Sequence, residues 1–137
     1  MRYTLFENQR NEIILLARIF LMILFLIAGW NKMMGFSGTV AYMESLGAPM
    51  PMVAAGIAVI MEFFVAIAIL VGFYTRPLAF LFALFVLGTM LIAHHFWTMV
   101  DAQRATNTTQ FFKNLCIMGG LLLLGITGPG KYSIDGR

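Results

Sequence analysis

The sequence predicts an all-α membrane protein, an integral four-helix bundle with a short interfacial helix between the first and second spans. Of its 137 residues, 61% are hydrophobic and only 11% are charged, whereas a typical soluble domain is about 45–50% apolar and about 25% charged. Four apolar stretches are each about long enough to cross a bilayer. We therefore expect residues 1–137 to form a single transmembrane domain.

The first span is expected at residues 13–30, and Arg18 lies within its apolar run. Trp30 and Lys32 follow at the far end, where amphipathic rings and long cationic side chains favour the membrane interface. A charged side chain inside a span is costly in lipid, so Arg18 should face the interior of the bundle.

The connection from residue 31 to residue 51 is expected to contain a short amphipathic helix that lies in the interface. Its apolar residues recur at helical spacing, at Phe36, Val40, Met43 and Leu46. A turn rich in glycine and proline then ends this helix. Two interpretations stay open: the helix is a lid over a polar cavity, or it is a simple connector.

The second span is expected at residues 52–72, and its one charged residue, Glu62, lies near the middle. A carboxylate at the centre of a membrane helix costs about 2.5–3.5 kcal/mol on insertion scales. Glu62 should therefore point inward, at a partner group, a cavity or a ligand.

The third and fourth spans are expected at residues 78–99 and 110–127. The third carries the pair His94 and His95 near its end, and the fourth carries Lys113 and Asn114 near its start. Both sets should lie in the same half of the membrane, because the two spans run in opposite directions.

The distribution of basic residues predicts that both termini are cytoplasmic. Four spans place both termini on one side, and the short loops with the excess of Lys and Arg belong in the cytoplasm. The cytoplasmic set is Arg2, Arg10, Arg76, Lys131 and Arg137. The opposite side has only Lys32 and Arg104 in its loops.

Every span contributes a polar residue, which suggests a polar pocket in the outer half of the bundle. In this hypothesis Glu62 and His94 handle protons, and the ligand-binding side chains are Arg18, Lys32, His95, Lys113 and Asn114. A structural alternative stays open, in which Arg18 and Glu62 form a buried ion pair and Lys113 extends towards the interface.

The identity of a ligand or cofactor is open, and a bound quinone fits this set of residues best. Its carbonyls accept hydrogen bonds, and it takes up protons on reduction. A haem motif is lacking, since adjacent histidines project about 100° apart on a helix, and no ligand spacing specifies a metal. The single Cys116 argues against paired-thiol chemistry. No basic run points to nucleic acid, so the expected partners are the lipid bilayer, a lipophilic molecule, and a partner protein or second copy.

A series of short motifs runs along nearly the whole chain. They are LARI at 16–19, GWNK at 29–32, SLGAP at 45–49, ME at 61–62, GFYTRPLA at 72–79, HHFW at 94–97, KN at 113–114 and TGPG at 127–130 with Asp135. In order and spacing, these motifs resemble those of the DoxX family of small bacterial inner-membrane proteins, and within it the YphA/YqjF kind.

This resemblance implies a quinone-linked redox role, because the family name comes from proteins associated with terminal quinol oxidase and with thiosulfate:quinone oxidoreductase. Other members act as membrane partners in oxidative-stress or thiol-homeostasis complexes, so a non-enzymatic subunit is the alternative. A third interpretation is a small transporter or proton channel. The resemblance places weight on Arg18, Lys32, Glu62, His94, Lys113 and Asn114.

Overall fold

The computed structural model describes residues 3–137, and five α-helices account for most of them. The helices are α1 (Arg10–Met34), α2 (Phe36–Ser45), α3 (Pro51–Val71), α4 (Thr75–Ala93) and α5 (Asp101–Thr127). Within α3, the segment Ile60–Val65 is a π-helical turn. Short 3-10 turns lie at Glu7–Gln9 and Phe96–Thr98. The described residues contain no β-strand.

Four helical segments are long and apolar enough to span a membrane, and α2 lies between the first two. The segments are Glu7–Met34, Pro51–Val71, Thr75–Thr98 and Asp101–Thr127. The predicted all-α four-span class is confirmed. The sidedness of the termini stays a prediction, and Arg2, one of the basic residues behind it, lies outside the described residues.

The helix ends differ from the predicted spans. The third span was expected to reach residue 99, but α4 ends at Ala93, and the chain then forms the turn Phe96–Thr98. The fourth span was expected to start at residue 110, but α5 already begins at Asp101. Hydropathy marks only the part of a helix that faces lipid, whereas hydrogen bonding carries a helix on into the polar interface, where Gln103 and Asn107 remain solvated.

The C-terminal tail closes one end of the bundle, which we call the tail end. Arg18 is completely buried there. Its guanidinium donates hydrogen bonds to the carbonyl of Leu70, at 2.9 Å, and to the carbonyl of Tyr132 in the tail. The backbone N–H of Ile134 donates to Val71 at 3.0 Å. Arg18 therefore ties α1 to both α3 and the tail.

Asp135 caps the start of α4 from the tail. Its two carboxylate oxygens accept hydrogen bonds from the backbone N–H groups of Tyr74, at 3.0 Å, and Thr75, at 2.9 Å. Desolvation of the carboxylate raises the pKa of Asp135, but these N–H donors outweigh it and hold the pKa below its usual 3.8. The residue acts as an N-cap supplied from a distant part of the chain.

The opposite end, which we call the loop end, separates into two halves. One half consists of α1, α2 and the first part of α3, and the other consists of α4 and α5. Among residues 3–137, no Cα atom of Pro51–Val59 lies within 8 Å of a Cα atom of α4 or α5, whereas the later part of α3 contacts α4. The bundle is therefore closed at the tail end and split at the loop end.

Replacing Asp135 by Asn should destabilise the tail end. We expect Asp135→Asn to lower the free energy of unfolding by about 1 kcal/mol, because the amide has one acceptor oxygen and no charge for the two N–H donors that the carboxylate binds. Because the pKa of the folded carboxyl lies below its usual value, the contribution is present at neutral pH and disappears as the pH falls through the folded pKa, below 3.8. Thermal unfolding in detergent, with the exposed Asp101→Asn as control, measures the difference. Equal stability of Asp135→Asn and wild type at pH 7 would contradict the capping role.

Candidate functional site

A cavity of about 540 Å³ lies between the two halves of the loop end. Its walls are mostly apolar side chains from every helix of the bundle. Five of the polar side chains that the sequence singled out line it. Tyr42 and Met43 of α2, and Leu46 just after it, add to the wall. The five are Lys32, Glu62, His94, Lys113 and Asn114.

The buried Glu62 and the half-buried Lys32 form an ion pair in the wall of this cavity. Glu62 is only 8% exposed. The Lys32 ammonium lies 2.9 Å from Oε2 and 3.2 Å from Oε1 of the carboxylate. Hydrogen-bond geometry is met only at Oε1, and the closer contact with Oε2 is an ionic one. A carboxylate oxygen accepts more than one hydrogen bond, so the Glu62 carboxylate has acceptor capacity beyond its contact with Lys32.

A π-helical turn and a glycine set the position of Glu62. The turn Ile60–Val65 places one extra residue in α3, and such π-bulges frequently occur at functional sites. On α1, Gly29 packs directly against the backbone of this turn. A Cβ atom at Gly29 would lie 2.7 Å from the carbonyl carbon of Glu62, closer than atoms can pack. A glycine is therefore required for α1 to approach the residue that carries the carboxylate.

Lys32 is held in place by the junction between α1 and α2. The buried hydroxyl of Thr39 donates hydrogen bonds to the carbonyl oxygens of Lys32, at 3.0 Å, and Gly35, at 3.2 Å. These bonds fold α2 back against the end of α1. The helix α2 therefore fixes the end of α1 from which the Lys32 ammonium reaches Glu62.

On the other side of the cavity, His94 is held by a residue that sequence reasoning did not select. Its Nδ1 lies 2.8 Å from Oδ1 of Asn107, and Asn107 donates in turn to the Gln103 carbonyl at 2.9 Å. Asn107 lies two turns before Asn114 on α5. The sequence places Asn107 in a polar loop, so its contact with His94 was not expected. In the structure α5 begins at Asp101, and Asn107 therefore lies on this helix.

Two of the seven predicted site residues lie away from the cavity. Arg18 contacts the tail, at the opposite end of the bundle from His94, so the structure contains no Arg18–Glu62 pair. The half-buried His95 lies in the loop with its Nδ1 2.6 Å from the Thr98 hydroxyl. Lys113 lines the cavity, but it is largely exposed and donates to Gln110 one turn earlier.

The fold and the cavity define a polytopic membrane protein with a polar group of side chains inside the span. A family model for DoxX matches residues 13–95. The chain is 53% identical over 137 residues to inner membrane protein YphA of Escherichia coli (strain K12), covering 100% of this chain and 98% of that protein. It is 45% identical over 122 residues to inner membrane protein YqjF of the same strain, covering 89% and 88% of the two. The chain therefore belongs to the DoxX family and is a multi-pass inner-membrane protein. No solved structure matches it.

Removing one partner of the buried ion pair should destabilise the loop end. Lys32→Met leaves the Glu62 charge buried and unpaired, a change that typically costs about 3–5 kcal/mol. The double variant Lys32→Met with Glu62→Leu should recover most of this loss, because no charge is then left buried. Equilibrium unfolding in mixed micelles measures both. The control Lys113→Met removes a cation whose partner is neutral, and it should have little effect. A double variant no more stable than Lys32→Met would contradict the pairing.

Proposed function

We propose that this protein binds a quinone in the loop-end cavity and takes part in quinone-linked redox chemistry. The observation that carries the proposal is the buried Glu62–Lys32 pair in the wall of a mostly apolar cavity. An apolar cavity with a few convergent polar groups is the usual form of a site for a small lipophilic molecule. A charged pair that served only packing would not need an adjoining space of this size.

The polar side chains match the chemistry of a quinone head group. Its two carbonyl oxygens accept hydrogen bonds, for which Asn114 and the Lys113 ammonium are donors. Reduction of a quinone to a quinol takes up two electrons and two protons. Glu62 and His94, which both line the cavity, are the groups that exchange protons. A partner protein supplies or removes the electrons, consistent with the role of membrane subunit that the family resemblance implies.

The proposal also places the cavity in the outer half of the membrane, with both chain ends in the cytoplasm. The tail end carries the exposed cations Arg10, Arg76, Lys131 and Arg137. The loop end carries Lys32 and Arg104. An excess of Lys and Arg in short loops marks the cytoplasmic side.

Reporter fusions at the C-terminus test this orientation. A green fluorescent protein fusion should fluoresce, and an alkaline phosphatase fusion should be inactive, because the phosphatase needs the oxidising periplasm to form its disulfides. Fusions at Arg104, in the loop end, provide the opposite control. An active phosphatase at the C-terminus would reverse the orientation and move the cavity to the cytoplasmic half.

Mass spectrometry of solvent extracts tests quinone binding. Protein purified in mild detergent should carry a near-stoichiometric quinone, and Glu62→Gln should retain about tenfold less, since one charged hydrogen-bonding group is worth at least 1.4 kcal/mol in affinity. The matched control is Glu44→Gln, which changes an exposed carboxylate on α2 outside the cavity. Equal quinone in Glu62→Gln and wild type would exclude Glu62 from the site. No quinone in any sample, even after quinone is added, would favour the non-enzymatic subunit.

A further inference from the structure

The split at the loop end leaves a gap between α3 and α4 along one side of the cavity. Pro51–Val59 stays more than 8 Å from α4, measured between Cα atoms. Residues of both helices nevertheless line the same cavity, with Ile57 on one side and Gly88 and Ile92 on the other. The gap between these helices is therefore bridged by side chains alone.

The side chains that border this gap are apolar and face outward. Val53 is 51% exposed, Ile57 is 50% exposed and Ile92 is 37% exposed, although all three line the cavity. In a membrane-spanning bundle, exposed aliphatic side chains at this depth contact acyl chains. The neighbouring Thr89 hydroxyl donates to its own helix, at the Val86 carbonyl, so its proton is already engaged.

Gly88 leaves the gap open on the α4 side. A Cβ atom built at this position would meet no atom within 4 Å, although the residue is half-buried. A Cβ atom at position 88 would therefore have open space around it, next to the cavity that Gly88 lines. Gly56 on α3 also has free space at its Cβ, but it does not line the cavity.

From these observations we infer that the gap between α3 and α4 is a lateral portal to the lipid phase, with Gly88 as the residue that keeps it open. This inference rests on the proposed function and narrows the class of ligand. The ligand is an amphiphile resident in the membrane. Its polar head lies among Glu62, Lys32 and Asn114, and its apolar tail passes between Ile57 and Ile92 into the surrounding acyl chains.

Binding measurements in nanodiscs test the portal with a decyl-substituted benzoquinone as the probe. Gly88→Phe should bind the probe at least about tenfold more weakly than wild type, because an aromatic ring fills the entrance. Gly88→Ala, which adds one methyl group, should remain close to wild type. The matched control Gly56→Phe adds the same ring outside the cavity and should bind normally. Unchanged binding by a folded Gly88→Phe would overturn the portal.

A second measurement tests the portal without a quinone. A bimane fluorophore is attached at Gly88→Cys in a Cys116→Ala background, which removes the exposed native thiol. Lipids with nitroxides on their acyl chains should quench it about as strongly as bimane at Leu87→Cys, a neighbouring residue that is 38% exposed. Quenching by aqueous iodide in place of the lipid nitroxides would overturn the portal, because the cavity would then open to water.

The two measurements separate failure of the portal from failure of the proposed function. If wild type binds no quinone but the bimane at position 88 is quenched by lipid, the quinone proposal fails and the portal stands for another membrane-resident amphiphile. If wild type and Gly88→Phe bind the quinone equally and lipid does not quench the bimane, the portal fails and the quinone proposal stands.

Discussion

The loop end of this protein depends on the buried pair between Lys32 and Glu62. A carboxylate near the middle of a span is tolerated in lipid only if its charge is compensated, and Lys32 supplies that compensation from the end of α1. The ion pair also constrains two neighbouring residues. Gly29 must remain small so that α1 can reach the π-helical turn, and Thr39 must fold α2 back so that the cation is held in position. A single electrostatic requirement thus accounts for a glycine, a π turn and the placement of the interfacial helix.

The two ends of the bundle hold their cations in different surroundings. At the tail end, the fully buried Arg18 donates hydrogen bonds to the backbone carbonyls of Leu70 and Tyr132. Such a cation ties segments of the chain together. At the loop end, Lys32 meets a carboxylate next to an open cavity. The two cations therefore differ in the space beside them, which composition alone does not reveal.

Much of the fold was predictable from the sequence, and the reasons are physical. Hydropathy identifies segments that must be buried in lipid, so the four spans and the interfacial helix followed directly from the pattern. Helix ends did not, because α5 runs through Gln103 and Asn107, which hydropathy assigns to a loop. The cost of charge in lipid identified the polar residues of the candidate site. Their partners were not predictable, because they depend on the end of the bundle that each side chain reaches. Arg18 binds the carbonyl of Tyr132 in the tail, and estimates of depth along separate helices could not reveal this contact. Lys32, expected to mark the interface, instead turns inward because Thr39 and α2 fold over the end of its helix.

The closed tail end and the split loop end together limit how any occupant reaches the buried carboxylate. Asp135, Arg18 and the backbone of the tail seal one end with hydrogen bonds that would have to break for a ligand to pass. At the other end, Tyr42 and Met43 of α2 and the following Leu46 line the cavity, so a direct axial path is also obstructed. The side between α3 and α4 has neither a backbone contact nor a polar network to disrupt. Passage there meets only aliphatic side chains, whose rotamer changes cost little compared with breaking a helix junction. A route from the bilayer is therefore the path of least reorganisation to Glu62, and it admits molecules that already reside among the acyl chains.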